Sequence, residues 1–188
     1  KLEAYRFKMK HFCCLGPGKA GTTWLYYLLK SHDQFATPSV KEQYFFSQNF
    51  FRGKDWYFDN FNFTDQSRVY GDIGNQYYKD LSCIDNCLKF DHNTIFIYCL
   101  RDPVDRLLSA YKFEIKQGRK INFDDYICEW DLGLFDDRAI ICEIRRKISA
   151  DRLFLLKFSD IVRSPETVLA QINRAFGCSS HVNFENLV

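Results

Sequence analysis

One loop near the start of the chain combines glycines, a lysine and paired hydroxyls in a pattern suited to holding an anion. It reads Gly16-Pro17-Gly18-Lys19-Ala20-Gly21-Thr22-Thr23-Trp24 and follows a short apolar run. Glycines let the backbone approach an anion closely, and the start of a following helix offers unpaired N–H groups and a positive dipole end. Lys19 adds a full charge, and Thr22 and Thr23 add hydroxyl donors. The loop therefore predicts an anion site; the alternative is a strand-to-helix turn with an incidental lysine.

The order of residues in this loop differs from the phosphate loop of nucleoside triphosphatases. That loop reads G-x-x-x-x-G-K-[ST], with the lysine directly before the hydroxyl residue. Here Thr22 follows Gly21 directly, and Lys19 comes two residues before Gly21. The general architecture still leaves a P-loop kinase or nucleotide hydrolase as an alternative, which would require ATP and Mg²⁺, but the position of the lysine argues against it.

A second polar group follows the clearest predicted strand. The run Thr94–Leu100 is apolar, β-branched and aromatic, and it leads into Arg101. Pro103 opens the predicted helix that follows, and Ser109 lies two turns along it. A guanidinium and a hydroxyl can together hold a phosphate dianion. The alternative is that Arg101 pairs with Asp105 and that Ser109 is an ordinary helix residue.

Both motifs resemble those of sulfotransferases that use 3′-phosphoadenosine 5′-phosphosulfate (PAPS). The order Lys-x-Gly-Thr-Thr-Trp resembles their 5′-phosphosulfate loop, and Arg101 with Pro103 and Ser109 resembles their 3′-phosphate motif. The resemblance implies that Arg101 and Ser109 bind the 3′-phosphate. It implies that the 5′-phosphosulfate is bound by Gly18, Lys19, Ala20, Gly21, Thr22, Thr23 and Trp24.

The segment between the two motifs resembles the acceptor side of the heparan sulfate branch of that family. Lys41-Glu42-Gln43-Tyr44-Phe45-Phe46 is similar to its Lys/Asn-Glu-x-x-Phe-Phe pattern, so Glu42 is implied to be the general base, with Lys41 beside the transferring group. The alternative is a solvated Lys–Glu pair before two core phenylalanines. Asp72 is a second candidate for the base and for substrate contact. Ile73 stands where the family often has lysine, which leaves the acceptor undecided, with a carbohydrate favoured.

The implied reaction is in-line sulfuryl transfer to a hydroxyl or amine of a small molecule or glycan. Glu42 would take the acceptor proton, and Lys19 would stabilise charge on the bridging oxygen as 3′,5′-ADP leaves. We expect no metal. A further alternative is a catalytically silent module that binds 3′,5′-ADP without transferring anything.

Apolar runs alternate along the chain with amphipathic ones. We predict strands at 11–15, 68–73, 94–100 and 152–157, and helices at 22–31, 103–116, 136–148 and 165–176, the last ending at Gly177. Strands separated by helices predict an α/β fold of the P-loop type, with a central parallel sheet covered by helices on both faces. Ligands of such sheets bind at the carboxyl ends of the strands, where both motifs fall.

Length and composition indicate one globular domain over residues 1–188, with the resemblance covering about Phe12 to Cys178. Relatives carry a later segment that closes over the nucleotide, so we expect a truncated or minimal lid here. A net charge of +2 argues against a nucleic-acid partner. We expect no membrane segment, reduced cysteines and a cytoplasmic location, with a Golgi-lumen domain lacking its anchor as the alternative.

Two groups of basic residues are ambiguous. Arg106 could reinforce the phosphate site or pair with Asp102 on the helix surface, and we favour a structural role. A basic stretch after the second motif could hold an anionic glycan, although a solvated face is the more common outcome. It comprises Lys112, Lys116, Arg119 and Lys120.

Overall fold

The computed structural model of the protein describes residues 9–184. Its centre is a sheet of five parallel strands: β1 Lys10–Cys14, β2 Phe35–Ala36, β3 Val69–Ile73, β4 Ile95–Leu100 and β5 Leu153–Lys157. The strands lie in the order β2-β3-β1-β4-β5, so β1 is central. In register, Cys14 of β1 lies opposite Ile73 of β3 and Ile97 of β4.

The helices that connect these strands are α1 Thr22–Ser31, α2 Gly53–Phe58, α3 Ser82–Phe90, α4 Pro103–Lys116, α5 Phe123–Cys128, α6 Asp137–Lys147, α7 Phe158–Arg163 and α8 Pro165–Phe176. Short 3₁₀ turns cover Phe50–Arg52, Tyr77–Lys79, Leu132–Phe135 and Ala150–Arg152, and one turn of π-helix covers Phe45–Asn49. The predicted parallel α/β fold is confirmed, and α1, α4 and α8 have the predicted bounds.

Each face of the sheet is packed against its own apolar cluster. Along β1, Phe12 and Cys14 point to the cluster that includes α1 and α8, and Cys13 points to an aromatic cluster on the other face. Because both faces are covered, the strands are mostly apolar, as in β4, where no charged residue occurs. All eight cysteines are free thiols, and Cys83 and Cys87 turn into the aromatic cluster from α3.

Two boundaries show how local chemistry sets the ends of helices. The Asp102 carboxylate caps α4 by accepting hydrogen bonds from the N–H groups of Val104 and Asp105, both at 3.0 Å. Gly177 ends α8 in the left-handed conformation, with φ of 69°. The Asp102 cap overturns one suggestion from the sequence, because this carboxylate is used at the helix start and does not pair with Arg106.

Candidate active site

The anion loop joins β1 to α1 and is held against the loop that follows β3. The backbone N–H of Gly18 donates to the Asn75 carbonyl at 2.9 Å. Gly16 has φ of 102°, and a Cβ there would lie 2.8 Å from the same carbonyl oxygen, so only glycine fits this close approach. Gly21 precedes α1 without a side-chain cap, which leaves the first N–H groups of the helix available to an anion.

Lys19 extends from this loop across the mouth of the cleft. Its φ is 65°, and its Nζ lies 3.2 Å from the centre of the Phe113 ring. Burial and the nearby charge of Lys41 lower the pKa of Lys19, while Glu114 and Glu42 oppose that change. Lys19 therefore lies near the charged groups of the Lys41–Glu42 segment and of Glu114 on α4.

Arg101 emerges at the carboxyl end of β4 and turns towards the loop. Its Nη1 donates to the Lys19 carbonyl at 2.8 Å, and its guanidinium lies 4.2 Å from the centre of the Phe158 ring. The buried Nε has no hydrogen-bond partner within residues 9–184. An Arg donor that is buried yet unpaired beside an uncapped helix start is a feature that an anionic ligand would satisfy.

The Lys41–Glu42 segment faces Lys19 across the cleft. The two side chains form an ion pair through Lys41 Nζ and Glu42 Oε1. The Tyr44 hydroxyl lies 3.0 Å from Glu42 Oε2 and 2.8 Å from Asn75 Oδ1. Burial and the Glu42 charge raise the pKa of Tyr44 to about 12, so this hydroxyl keeps its proton and can hold Glu42 in place.

These groups line one cleft of about 610 Å³, to which the carboxyl end of every strand contributes. Lys19 follows β1, Glu42 follows β2, Asn75 follows β3, Arg101 follows β4 and Phe158 follows β5. Five cations line the cleft against two carboxylates, so it suits a polyanion. The cations are Lys19, Lys41, Lys79, Arg101 and Arg106, and the carboxylates are Glu42 and Glu114.

Three residues proposed from the sequence do not line the cleft. Ala20 is fully buried under the loop, and Ser109 is partly buried on α4 beside the face that lines it. Asp72 is 1% exposed and points from β3 into the aromatic cluster, away from the cleft. A direct contact between Asp72 and an acceptor is therefore not supported, because this carboxylate is buried and does not line the cleft.

Asp72 is instead connected to the Glu42 segment through Tyr77. The Tyr77 hydroxyl donates to Asp72 Oδ2 at 3.1 Å and accepts from the Phe46 backbone N–H at 3.2 Å. Burial raises the pKa of Asp72 to about 7, partly offset by the Tyr77 hydrogen bond, and Oδ1 has no partner within the described chain. The pair thus anchors the residues that follow Glu42 and Tyr44.

Arg106 lines the cleft and also forms a buried ion pair, whose partner is different from the one expected from the sequence. It is 1% exposed and donates through Nη1 to Asp137 Oδ1 at 2.7 Å and through Nη2 to the Leu134 carbonyl at 2.5 Å. Its guanidinium lies 4.5 Å from the centre of the Phe135 ring. This ion pair joins α4 to the start of α6. This pair could not be predicted from the sequence, because the two residues are 31 positions apart.

Sequence reasoning also missed several uncharged walls of the cleft. These are Asn75, Gln76, Tyr78, Phe113, Tyr126, Trp130, Phe135 and Phe158. Asn75 could have been found, since it lies in the loop after a predicted strand next to β1. The aromatic residues carried no usable signal because the chain contains many aromatics and many of them are buried in the core.

Comparison with known proteins identifies the family. The sequence model described as the sulfotransferase family matches residues 67–181, more than half of the chain. The chain belongs to the sulfotransferase family. The matched region includes Arg101 and Ser109, while Lys19 and Glu42 lie before it.

Individual relatives agree with this sulfotransferase assignment. The membrane-associated sulfotransferase kil1 of Dictyostelium discoideum is 32% identical over 118 residues, which are 61% of this chain and 25% of the relative. The mouse bifunctional heparan sulfate N-deacetylase/N-sulfotransferase 4 is 26% identical over 200 residues, covering 92% of this chain and 23% of the relative. The chain thus spans about a quarter of the length of these curated relatives.

Solved sulfotransferase structures share the fold. A sulfotransferase from Alicyclobacillus acidocaldarius superposes with a TM-score of 0.80 at 20% identity, covering 95% of this chain and 85% of that one. The sulfotransferase domain of the Synechococcus PCC 7002 olefin synthase gives 0.63 at 17% identity, with 92% and 74% covered.

The described part of the chain offers neither a cluster of metal ligands nor a membrane-spanning helix. Within residues 9–184 there is no group of three or more His, Cys, Asp or Glu side chains arranged to hold a metal ion. Among the helices of the same residues, none is both long and apolar enough to cross a bilayer.

Proposed function

We propose that this chain transfers a sulfuryl group from PAPS to a hydroxyl or amine of a carbohydrate acceptor. The observation that carries the proposal is that Lys19, Arg101 and the Lys41–Glu42 pair, taken from three separate parts of the chain, line one cation-rich cleft. The carbohydrate part rests on the similarity of the Lys41–Phe46 segment and on the relatives named for heparan sulfate.

The residues of the cleft divide into two ends on this proposal. The N–H groups at the start of α1, Thr22 and Thr23 would hold the 5′-phosphosulfate, and Arg101 would hold the 3′-phosphate with its unpaired Nε turned to the ligand. Ser109 completes the 3′-phosphate site only if its hydroxyl turns towards the face of α4 that lines the cleft. The proposed role of Ser109 therefore depends on a small rearrangement.

The reaction would take place between Lys19 of the anion loop and the Lys41–Glu42 segment, which face each other across the cleft. Glu42 accepts the proton of the attacking hydroxyl or amine as the new bond to sulfur forms. Lys19 stabilises the oxygen of 3′,5′-ADP as the old bond to sulfur breaks. The ion pair with Lys41 aims the Glu42 carboxylate, and Tyr44 fixes its second oxygen.

The test is calorimetric binding of 3′,5′-ADP, with 5′-AMP and ATP plus Mg²⁺ as comparators. We expect 3′,5′-ADP to bind at least about tenfold more tightly than 5′-AMP, since the 3′-phosphate adds a charge-assisted contact. Arg101→Ala should remove this preference, because the guanidinium supplies that contact, while binding of 5′-AMP changes little.

Two other outcomes would change the assignment. A preference for ATP with Mg²⁺, or indifference to the 3′-phosphate, would replace the proposal with a P-loop kinase-like activity. Binding of 3′,5′-ADP without transfer from PAPS to any saccharide would indicate a silent binding module.

A further inference from the structure

A second groove lies next to the cleft. Its volume is about 400 Å³, and neither Lys19 nor Arg101 lines it. Four residues line both the cleft and this groove, so the two spaces adjoin. The shared residues are Lys79, Glu114, Tyr126 and Trp130. We call this space the side groove.

The side groove begins beside the proposed reacting groups. Glu114, which it shares with the cleft, lies near enough to Lys19 to influence the pKa of that lysine, as Glu42 also does. A molecule in the side groove could therefore extend to the point between Lys19 and Glu42. The nucleotide-binding residues Thr22, Thr23 and Arg101 are all outside the side groove, which leaves it free for the acceptor.

An indole ring forms the apolar wall of the side groove. Trp130 is partly exposed, and its ring centre lies 5.8 Å from that of Tyr126 and 5.4 Å from that of Phe135, both in edge-to-face contacts. The Lys79 ammonium lies 5.5 Å from the indole centre. The flat apolar face of a sugar ring can pack on an aromatic ring held in this way, with its hydroxyls directed to polar groups at the edge.

The charges around Trp130 are nearly balanced. Lys79 and Arg119 face three carboxylates, and Arg119 already forms an ion pair with Glu129 and lies 4.0 Å from Glu114. An acidic sugar would meet excess negative charge, and an amine would meet the ammonium of Lys79 beside the indole. Neutral hydroxyls can instead donate to the carboxylates and accept from Lys79. The third carboxylate is Asp131.

We propose that the side groove binds a neutral, hydroxyl-rich sugar residue of the acceptor, packed on Trp130. This inference rests on the proposed sulfotransferase activity. The basic stretch after the second motif then does not bind an anion in the side groove. Arg119 is its one member that lines the groove, and Arg119 is paired with Glu129.

The test measures sulfuryl transfer from PAPS to three tetrasaccharides of equal length. They are N-acetylated chitotetraose, which is neutral, a uronic-acid-containing heparosan tetrasaccharide and fully deacetylated chitotetraose; p-nitrophenol serves as a non-sugar acceptor. We expect the neutral tetrasaccharide to have the highest kcat/KM. Trp130→Ala should raise its KM about tenfold and leave kcat within about twofold, since the indole binds a remote part of the acceptor.

The matched control is Phe51→Ala, which removes an aromatic side chain that is 81% exposed and outside both spaces. It should leave KM unchanged. If Trp130→Ala fails to fold, Lys79→Gln at an exposed position gives the same comparison, with a smaller rise in KM for the neutral tetrasaccharide.

Binding of 3′,5′-ADP to the same variants separates the two levels of the proposal. Wild-type protein that does not bind 3′,5′-ADP contradicts the proposed function itself. If 3′,5′-ADP binds normally but none of the four acceptors is sulfated, the result supports the silent binding module and contradicts the proposed function. If transfer occurs, the side-groove proposal alone is overturned by a preference for the acidic, cationic or phenolic acceptor, or by an unchanged KM in both groove variants.

Discussion

Three residues of the cleft have backbone conformations that side chains usually avoid. Lys19, Glu42 and Tyr44 have φ of 65°, 67° and 50°, and they are the only non-glycine residues with positive φ within residues 9–184. Each such residue destabilises the fold by about 1–3 kcal/mol, so the conformation persists only where the surrounding structure imposes it. Their concentration around one space supports the view that the strain serves to aim the Lys19, Glu42 and Tyr44 side chains.

Removing the Lys19 ammonium tests its role in the reaction. We expect Lys19→Ala to reduce transfer from PAPS by at least about 100-fold, because a group that stabilises charge in the transition state is lost. The melting temperature should stay close to that of wild type, since Lys19 makes no ion pair within the described chain. Lys116→Ala, an exposed lysine on α4, is the control. Turnover equal to wild type would remove Lys19 from the mechanism.

The buried Asp72 carboxyl gives a stability prediction with a definite sign. Its pKa is about 7 in the fold, against about 3.9 in an unfolded chain, so the folded state retains a proton that the unfolded state has lost. The contribution of Asp72 to stability is therefore fully present below about pH 4 and is lost as the pH rises to 7, a change of about 4 kcal/mol.

Asp72→Asn should remove this dependence because an amide does not ionise. In urea, we compare the free energy of unfolding of the variant with that of wild type at each pH. The variant's value minus the wild-type value should increase by several kcal/mol between pH 4 and pH 7, as the pKa difference implies. The difference between the two proteins matters, since the buried His11, with its pKa lowered to about 3, gives both of them an opposite trend. Asp55→Asn at an exposed position should follow wild type at every pH. Parallel curves for Asp72→Asn would show that Asp72 is ionised in the fold.

At this scale, motifs in the sequence identified residues of the site. The sequence could not predict which way a side chain points from its strand. Lys19 and Arg101 were found through motifs that follow predicted strands, and Glu42 through the similarity of the Lys41–Phe46 segment, since β2 was not predicted. Asp72 was offered as an acceptor contact but is buried and does not line the cleft, because the alternation along a strand does not show which of its two faces meets the site.

At the scale of elements, the loop before α1 depends on a contact between backbones that are far apart in sequence. Gly16→Ala would force a Cβ against the Asn75 carbonyl, while Gly118→Ala also has positive φ, 91°, but meets no atom within 4 Å. Both variants carry conformational strain of about 1–2 kcal/mol. We expect Gly16→Ala to be the less stable in chemical denaturation by about a further 2 kcal/mol.

The same pair of variants tests whether the contact positions the anion loop. Gly16→Ala should weaken 3′,5′-ADP binding at least about tenfold, because the loop must shift away from Asn75. Gly118→Ala, which lies after α4, should bind 3′,5′-ADP as wild type does. Equal binding by both variants would mean that the loop tolerates displacement.

Whether an element could be predicted depended on its length. The helices α1, α4 and α8 have 10, 14 and 12 residues, long enough to show helical periodicity, and their bounds were predicted correctly. The six-residue helices α2, α5 and α7 complete fewer than two turns and were missed. Strand β2, with two residues, was missed for the same reason.

At the scale of the molecule, the order of strands explains why the cleft has its composition. With β1 in the centre, the loops after β3 and β4 flank the anion loop, and those after β2 and β5 supply the outer walls. The sequence predicted the parallel sheet and the edge at which ligands bind. It could not predict the side groove, because Trp130 reaches this edge only through α5 and the turn that Arg106 and Asp137 hold against α4.

The central place of β1 also bears on how the protein is made. The anion loop is synthesised before its neighbours Asn75 and Arg101, and β5 ends only at Lys157. Contacts between distant segments form slowly, and translation adds about 5–20 residues per second. An unfinished β1 therefore waits several seconds for β4 and β5 to be made, and we expect the nascent chain to bind chaperones during that interval.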